Sequence, residues 1–327
     1  MDRCLDPLDV RLLDEFQRDL PIVSRPFAAI GAALGLPEAE VIARLAALQA
    51  AGAVARVGGT VRPNTAGVST LAALAAPRQR IESVAAILAA ESGVNHVYER
   101  EHDWTLWFVA TAPNRETLAA SLDRIAARTG LDVLDLPMLR AFNIDLGFRL
   151  TGPRASRLVD RPADTTALRP GDGPILQAMS EGLALVPRPF AALAEALGRS
   201  EAEVIARVGA LAQARLLTRV GVIVRHRALG WRANAMVAWQ APEDGIATAG
   251  AALAALPGVT LCYQRRTVPG VWPYGLFCMI HGRSRAEAGA VLDAARALPA
   301  LAGAPHRVLF SRRCFKQTGA LVHARAA

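Results

Sequence analysis

The chain has 327 residues, a net charge of +8 and an apolar fraction of 52%, enough length for two or more domains with buried cores. No uninterrupted apolar run approaches the ~18 residues of a membrane span, and the acidic opening MDRCLDPLDV lacks the apolar core of a secretory signal. A cytoplasmic protein with no membrane partner is therefore expected, and the four scattered cysteines, Cys4, Cys262, Cys278 and Cys314, read as reduced thiols rather than a zinc site or disulfide framework.

The charge is divided unevenly. Residues 1–150 carry 15 Arg against 18 Asp and Glu, and residues 151–327 carry 22 Arg and Lys against 11, balances of −3 and +11. The second half is expected to face something anionic, nucleic acid or a polycarboxylate. A GC-rich coding sequence would also supply arginine freely, since Lys316 is the only lysine.

In chain order, a first helix is expected near 9–18. Pro26 suits the first turn of a second helix over about 26–34, which Gly35 ends. A third opens on Glu38 and Glu40, favourably placed at its N-terminus, and carries Val41, Leu45 and Leu48 at helical spacing. The β-rich run VARVGGTVR around Gly58 then reads as the hairpin of a small wing. Strands follow near 68–76, 93–99, 104–111 and 131–139, with helices near 78–91 and 114–128, a βαββαβ pattern of the ferredoxin-like kind. The segment 151–173, rich in Pro, Arg, Asp and Gly, reads as a linker.

After it the chain repeats itself. VSRPFAAIGAALGLPEAEVIARLAALQAAGAVARVGGTVR at 23–62 and VPRPFAALAEALGRSEAEVIARVGALAQARLLTRVGVIVR at 186–225 align at a constant offset of 163 without a gap, about half the positions being identical over the wider unit. Strands near 233–240, 258–265, 273–281 and 305–311 and helices near 243–255 and 284–297 complete the second copy. The expected fold is α+β: a tandem duplication of winged helix-turn-helix (1–66 and 174–229) and ferredoxin-like βαββαβ units (67–150 and 230–327).

This layout resembles the Lrp/AsnC regulators, so an amino-acid-responsive DNA binder is one reading. The third helices argue against it. EAEVIARLAALQAA (38–51) and EAEVIARVGALAQA (201–214) offer few groups for base edges, and their leading glutamates would repel phosphate. DNA binding is not expected.

The second units point elsewhere. VNHVYEREHDWTLWF (94–108) and VTLCYQRRTVPGVWPYGLF (259–277), with RHRALGWRANAMVAW, MIHG and LFSRRCFKQ, closely resemble the siroheme decarboxylases of the haem d1 and alternative haem pathways. That family is Lrp/AsnC-like in fold and usually has two related subunits, here fused. The resemblance spans nearly the whole chain. It implies removal of the carboxylates of two acetate side chains of siroheme, giving 12,18-didecarboxysiroheme. Siroheme is then the substrate, and no organic cofactor or separate metal site is expected. A tetrapyrrole carrier or sensor is the remaining alternative. A homodimer and contacts with other haem d1 biosynthesis proteins are partners this reading allows, although the two halves could satisfy each other's sheets.

A flat polycarboxylate needs aromatic walls and arginine clamps, and a decarboxylated acetate carbon needs a proton, for which histidine is suited near neutral pH. His102, framed by charges and aromatics, is the first candidate donor. His226 is the second, a histidine present in one copy only, beside Arg225 and Arg227. For the carboxylates the candidates are Arg100, Arg265 and Arg266, then Arg225, Arg227 and Arg232. Tyr98, Trp104, Tyr263, Trp272, Tyr274 and Phe310 are candidates for the walls. His96 could face ligand, strand or solvent, His281 reads as structural, and nothing singles out His306 or His323. In sequence, a histidine that ligates the siroheme iron looks the same as one that donates a proton. Because His102 has no counterpart in RRTVPGVWP, one pocket per chain is expected, lined from both halves and centred on the basic second half.

Overall fold

The computed structural model describes residues 5–144 and 162–324. Cys4 and the 151–161 part of the expected linker lie outside the described residues. Residues 162–173 hold a short 3₁₀ turn and the start of a helix.

The first copy opens with α1 (Pro7–Glu15), α2 (Pro26–Leu34) and α3 (Glu38–Ala50). The Asp6 side chain accepts from the Leu8 amide at 2.7 Å, satisfying a donor that the first turn leaves free, and Gly35 closes α2 in the left-handed region at φ 73°. The second copy gives α6 (Asp172–Glu181), α7 (Pro189–Ala196) and α8 (Glu201–Gln213). The wing differs from expectation. Each copy supplies one strand, β1 (Val54–Val61) and β6 (Leu217–Val224), and the two pair antiparallel with Gly58 opposite Gly221. The hairpin partner is thus the other copy. A β-carbon on Gly221 would stand 2.2 Å from the Gln17 carbonyl oxygen, and one on Gly58 2.5 Å from that of Met179. These glycines let the ends of α1 and α6 cross the ribbon. Leu12, Phe27 and Leu45 of the first copy share one core with Ile175, Phe190 and Leu211 of the second, so the two winged units form a single body.

The ferredoxin-like units contribute β2 (Val68–Leu74), α4 (Ile81–Ala90), β3 (Val94–Arg100), β4 (Leu106–Ala112), α5 (Arg115–Thr129) and β5 (Val133–Asn143), then β7 (Ala233–Trp239), α9 (Ile246–Ala255), β8 (Val259–Arg265), β9 (Leu276–Gly282), α10 (Arg285–Arg296) and β10 (His306–Gln317). Their eight strands close into one barrel in the order β10-β3-β4-β2-β5-β8-β9-β7. The long last strands make the closure. β5 pairs with β2 through residues 133–137 and with β8 through 138–143, and β10 pairs with β7 through 306–310 and with β3 through 311–317. Each half therefore caps the exposed edges of the other.

Alternation along the strands sends Val97 and Phe108 outward against Val84, Leu88 and Ile125 of the covering helices. It sends Leu71, Trp107, Met236, Phe277 and Leu309 inward, around Trp272. The same inward parity carries His96, Tyr98 and Arg100 on β3, Asn234 on β7, His281 on β9 and Ser311 on β10. The barrel interior is aromatic in its middle and polar at one mouth.

Candidate active site

At that mouth a transverse row of buried polar side chains crosses five strands. Thr260 Oγ1 donates to the Met279 carbonyl at 3.1 Å and stands 2.9 Å from His281 Nδ1. His281 Nε2 lies 2.6 Å from Asn234 Nδ2. Asn234 Oδ1 accepts from Arg100 Nη1 and from Ser311 Oγ, each at 3.3 Å. The His226 ring sits over this row from the turn leading out of β6, 4.7 Å from the His281 ring, with Nε2 3.5 Å from Asn234 Nδ2. All six residues are buried.

The electrostatics are one-sided. Arg100 also donates to the Leu309 carbonyl at 3.0 Å and lies over the Tyr98 ring, yet among the described residues its Nε has no partner. Arg56 Nε, His96 Nδ1 and Arg227 Nη1 are likewise buried without one. Among the described residues none of Arg56, Arg100 and Arg227 forms an ion pair with a carboxylate. Burial pulls Arg56 and Arg100 down to about 10. Burial, then Arg227, His96 and Arg100, lowers His226 to about 4, and burial with the nearby Arg56 charge lowers His96 to about 4. Buried cations without counter-charges are costly, and such clusters mark sites built for an anion.

Of the residues singled out from sequence, His226, Arg100, Arg227 and Tyr98 come together here. Arg225 is exposed on the same turn, its charge felt by Cys314 beside Tyr98. Arg232 is exposed. His102 belongs to another cluster. Its ring meets the Trp272 edge at 5.4 Å, and its Nδ1 accepts from the Trp104 amide at 3.1 Å. It is half-buried, with its pKa lowered chiefly by burial. Trp272 packs in turn on Trp107 and Tyr274. The loops between β3 and β4 and between β8 and β9 thus meet each other, and the longer second loop supplies the tryptophan that covers the histidine of the first.

Arg265 and Tyr263 repeat Arg100 and Tyr98 in the other half. Arg265 donates to the Leu136 carbonyl at 2.9 Å and lies over the Tyr263 ring. No histidine accompanies them: the positions matching His226 and His281 are Pro63 and Thr111. Arg266 is engaged with Asp135 at 3.1 Å, and Phe310 lies under the Arg285 guanidinium.

Sequence reasoning passed over Asn234, Thr260, Arg56 and the part played by His281. A polar residue at an inward position of an apolar strand, as in RANAMVAW, was the available signal for Asn234. Arg56 recurs as Arg219 in the other copy, so no asymmetry drew attention to it.

Comparison with known proteins agrees with this organisation. A model of an AsnC-like ligand binding domain matches residues 65–143 and 228–316, and one of a siroheme decarboxylase NirDL-like HTH domain matches 9–54 and 172–217. The chain is 66% identical to the siroheme decarboxylase NirDL subunit of Paracoccus pantotrophus, over 97% of this chain and 98% of that one. It is 49% identical to the siroheme decarboxylase NirD subunit of Pseudomonas aeruginosa over 46% of this chain and 100% of that one, a separate subunit the length of one half. The crystal structure of the siroheme decarboxylase NirDL in co-complex with an iron-uroporphyrin III analogue superposes with a TM-score of 0.66 at 29% identity, covering 95% of this chain and 92% of that one. The chain belongs to the siroheme decarboxylase family.

Proposed function

We infer that the protein decarboxylates siroheme, converting two acetate side chains to methyl groups to give 12,18-didecarboxysiroheme for haem d1 or alternative haem synthesis. The observation that carries this reading is a group of cations without carboxylate partners among the described residues: buried Arg100 and half-buried Arg227 beside His226, and half-buried Arg56 beside His96, each with a buried guanidinium nitrogen that lacks a hydrogen-bond partner. An octacarboxylate supplies the missing counter-charges, and the similar NirDL structure holds an iron-uroporphyrin analogue.

In each step the bond between the acetate methylene and its carboxylate breaks and CO2 leaves. The electron pair stays on the methylene carbon, where the macrocycle spreads it, until a proton completes the methyl group. Arg100 and Arg227 orient the polyanion by charge-assisted hydrogen bonds, with Arg56 joining them from β1. His226 and His102 are the proton donors of this reading, in separate clusters that suit two successive events. Carboxylates arriving beside Arg100 and Arg227 offset the charges that lower His226, so binding itself raises its proton affinity. The macrocycle is substrate and electron sink together, and the reading needs no further cofactor.

A DNA-binding role has little to stand on. Arg44, on the exposed side of α3, is held by Asp6, Asp9 and Glu40 at 3.0–3.1 Å. Arg25 pairs with Glu38, and Arg188 with Glu201. Among the described residues no single helix is long and apolar enough to cross a membrane. Anaerobic incubation with siroheme followed by mass spectrometry of the extracted tetrapyrrole tests the function. Loss of two CO2 units supports it, and intact siroheme after prolonged incubation overturns it.

A further inference from the structure

The Asn234 carboxamide has only one orientation that its neighbours accept. Arg100 is a donor with no acceptor capacity, so the amide oxygen must face its Nη1, 3.3 Å away. That turns Nδ2 to the two imidazoles, at 2.6 Å from His281 Nε2 and 3.5 Å from His226 Nε2. Both Nε2 atoms are therefore acceptors, and each ring carries its proton on Nδ1. Thr260 accommodates the same tautomer at His281. Its hydroxyl hydrogen can go to the Met279 carbonyl at 3.1 Å, which leaves the oxygen to accept from His281 Nδ1–H at 2.9 Å. Arg100 thus fixes the tautomers of two histidines through one amide.

We propose that Asn234 is a positioning residue whose carboxamide couples Arg100 to the protonation of His226 and His281. While Arg100 holds Oδ1, Nδ2 opposes a proton on either Nε2. When a substrate carboxylate draws Arg100 away, the amide is free to turn over and present Oδ1 to the imidazoles. Each Nε2 then gains an acceptor for a proton taken up from solvent. The donor is charged only when a substrate carboxylate occupies the clamp, which separates proton loading from the empty site. The proposal rests on the reading of Arg100 as a carboxylate clamp and goes beyond it in naming the relay.

Among the charged and titratable groups that bear on His226 are Arg227 on its own turn, Arg100 and His96 on β3, and His281 on β9. Behind them stand Arg56 of β1 beside His96 and the Tyr98 and Cys314 side chains beside Arg100. The Asn234 amide touches Arg100 on one side and both imidazoles on the other, so it is the neutral group placed to change sides.

The test uses the full chain with imidazole nitrogens labelled for long-range ¹H–¹⁵N NMR, and metal-free uroporphyrin III as a diamagnetic octacarboxylate probe. Ligand-free protein at neutral pH is expected to show His226 and His281 as neutral Nδ1–H tautomers, and the probe is expected to shift at least one toward the doubly protonated form. Asn234→Asp, a carboxylate that accepts and does not donate, is expected to move the basic limb of the pH profile for siroheme decarboxylation upward by about one pH unit or more. Asn234→Leu is expected to lower turnover without moving the limb upward. A ligand-free Nε2–H tautomer at His281, or an Asn234→Asp profile that coincides with the unaltered protein, overturns the coupling while leaving the decarboxylase reading intact. If the unaltered protein turns over no siroheme, the functional reading fails and the tautomers still decide the amide geometry.

Discussion

Arg100 of the first half donates to Asn234 of the second at 3.3 Å, across 134 residues of sequence. The hydrogen bond joins β3 to β7 over the intervening β10, so the polar mouth of the barrel exists only when both halves are present. A fragment of residues 1–150 is expected to bind no siroheme. Co-produced with residues 162–327, it is expected to recover binding to within several-fold of the intact chain, because the shared winged core and the β5–β8 and β10–β3 pairings supply a large obligate interface. Size-exclusion chromatography and absorbance titration of the two preparations check this.

Arg100 also tests whether the buried cations serve binding or the fold. A buried charge with no counter-ion contributes little to stability. Arg100→Leu is therefore expected to leave the thermal midpoint of the ligand-free protein unchanged or raised. Siroheme affinity should fall about 10–100-fold, the worth of about 1.5–3 kcal/mol for a hydrogen bond to a charged group. Calorimetric unfolding beside a binding titration separates the two. A large stability loss with unchanged affinity would assign the residue to the fold instead.

Acid should weaken the fold through His226. Its folded pKa is lowered from 6.5 to about 4, so between those values the unfolded chain binds a proton that the folded chain does not. Stability is then full above pH 6.5, falls as the pH drops through that window, and levels off below about 4, a loss of about 3 kcal/mol in order of magnitude. His96, lowered in the same direction, adds to the slope. Urea unfolding at pH 7.5, 6 and 5 measures it, and the slope should shrink in His226→Gln.

Trp272 is a wall of the barrel interior and the cover of His102. It is 2% exposed, so Trp272→Ala is expected to cost about 3–5 kcal/mol of stability. Uncovering His102 should also bring its lowered pKa back toward the ordinary value, since burial is the largest cause of the lowering. An NMR titration of the His102 ring in Trp272→Phe, which preserves an aromatic cover, should show a smaller change than in Trp272→Ala.

Much of this architecture was legible in the sequence. The 163-residue offset exposed the duplication, Pro26 and Gly35 bounded α2, the helical spacing of Val41, Leu45 and Leu48 marked α3, and the order of strand-like and helix-like segments gave the βαββαβ pattern. Pairing was not legible, because the pattern VARVGGTVR specifies a strand but carries no sign that its partner is the matching strand of the other copy. The site was half legible. His226 stood out because its counterpart in the first copy is Pro63. Asn234 and Thr260 did not, because their importance comes from register across five strands. His102 was legible as an unusual histidine, yet the loop that covers it lies 170 residues further on, and no spacing rule connects the two.

His226, beside Arg100 and Arg227, is the proposed donor of a proton to a decarboxylated acetate. Mass spectrometry of siroheme incubated anaerobically with His226→Gln tests it most directly, with binding confirmed by absorbance. Siroheme is expected to stay bound, and at least one of the two CO2 losses to be slowed about 100-fold or more, so that intact or singly decarboxylated tetrapyrrole accumulates. Loss of both CO2 units at the rate of the unaltered protein would contradict it.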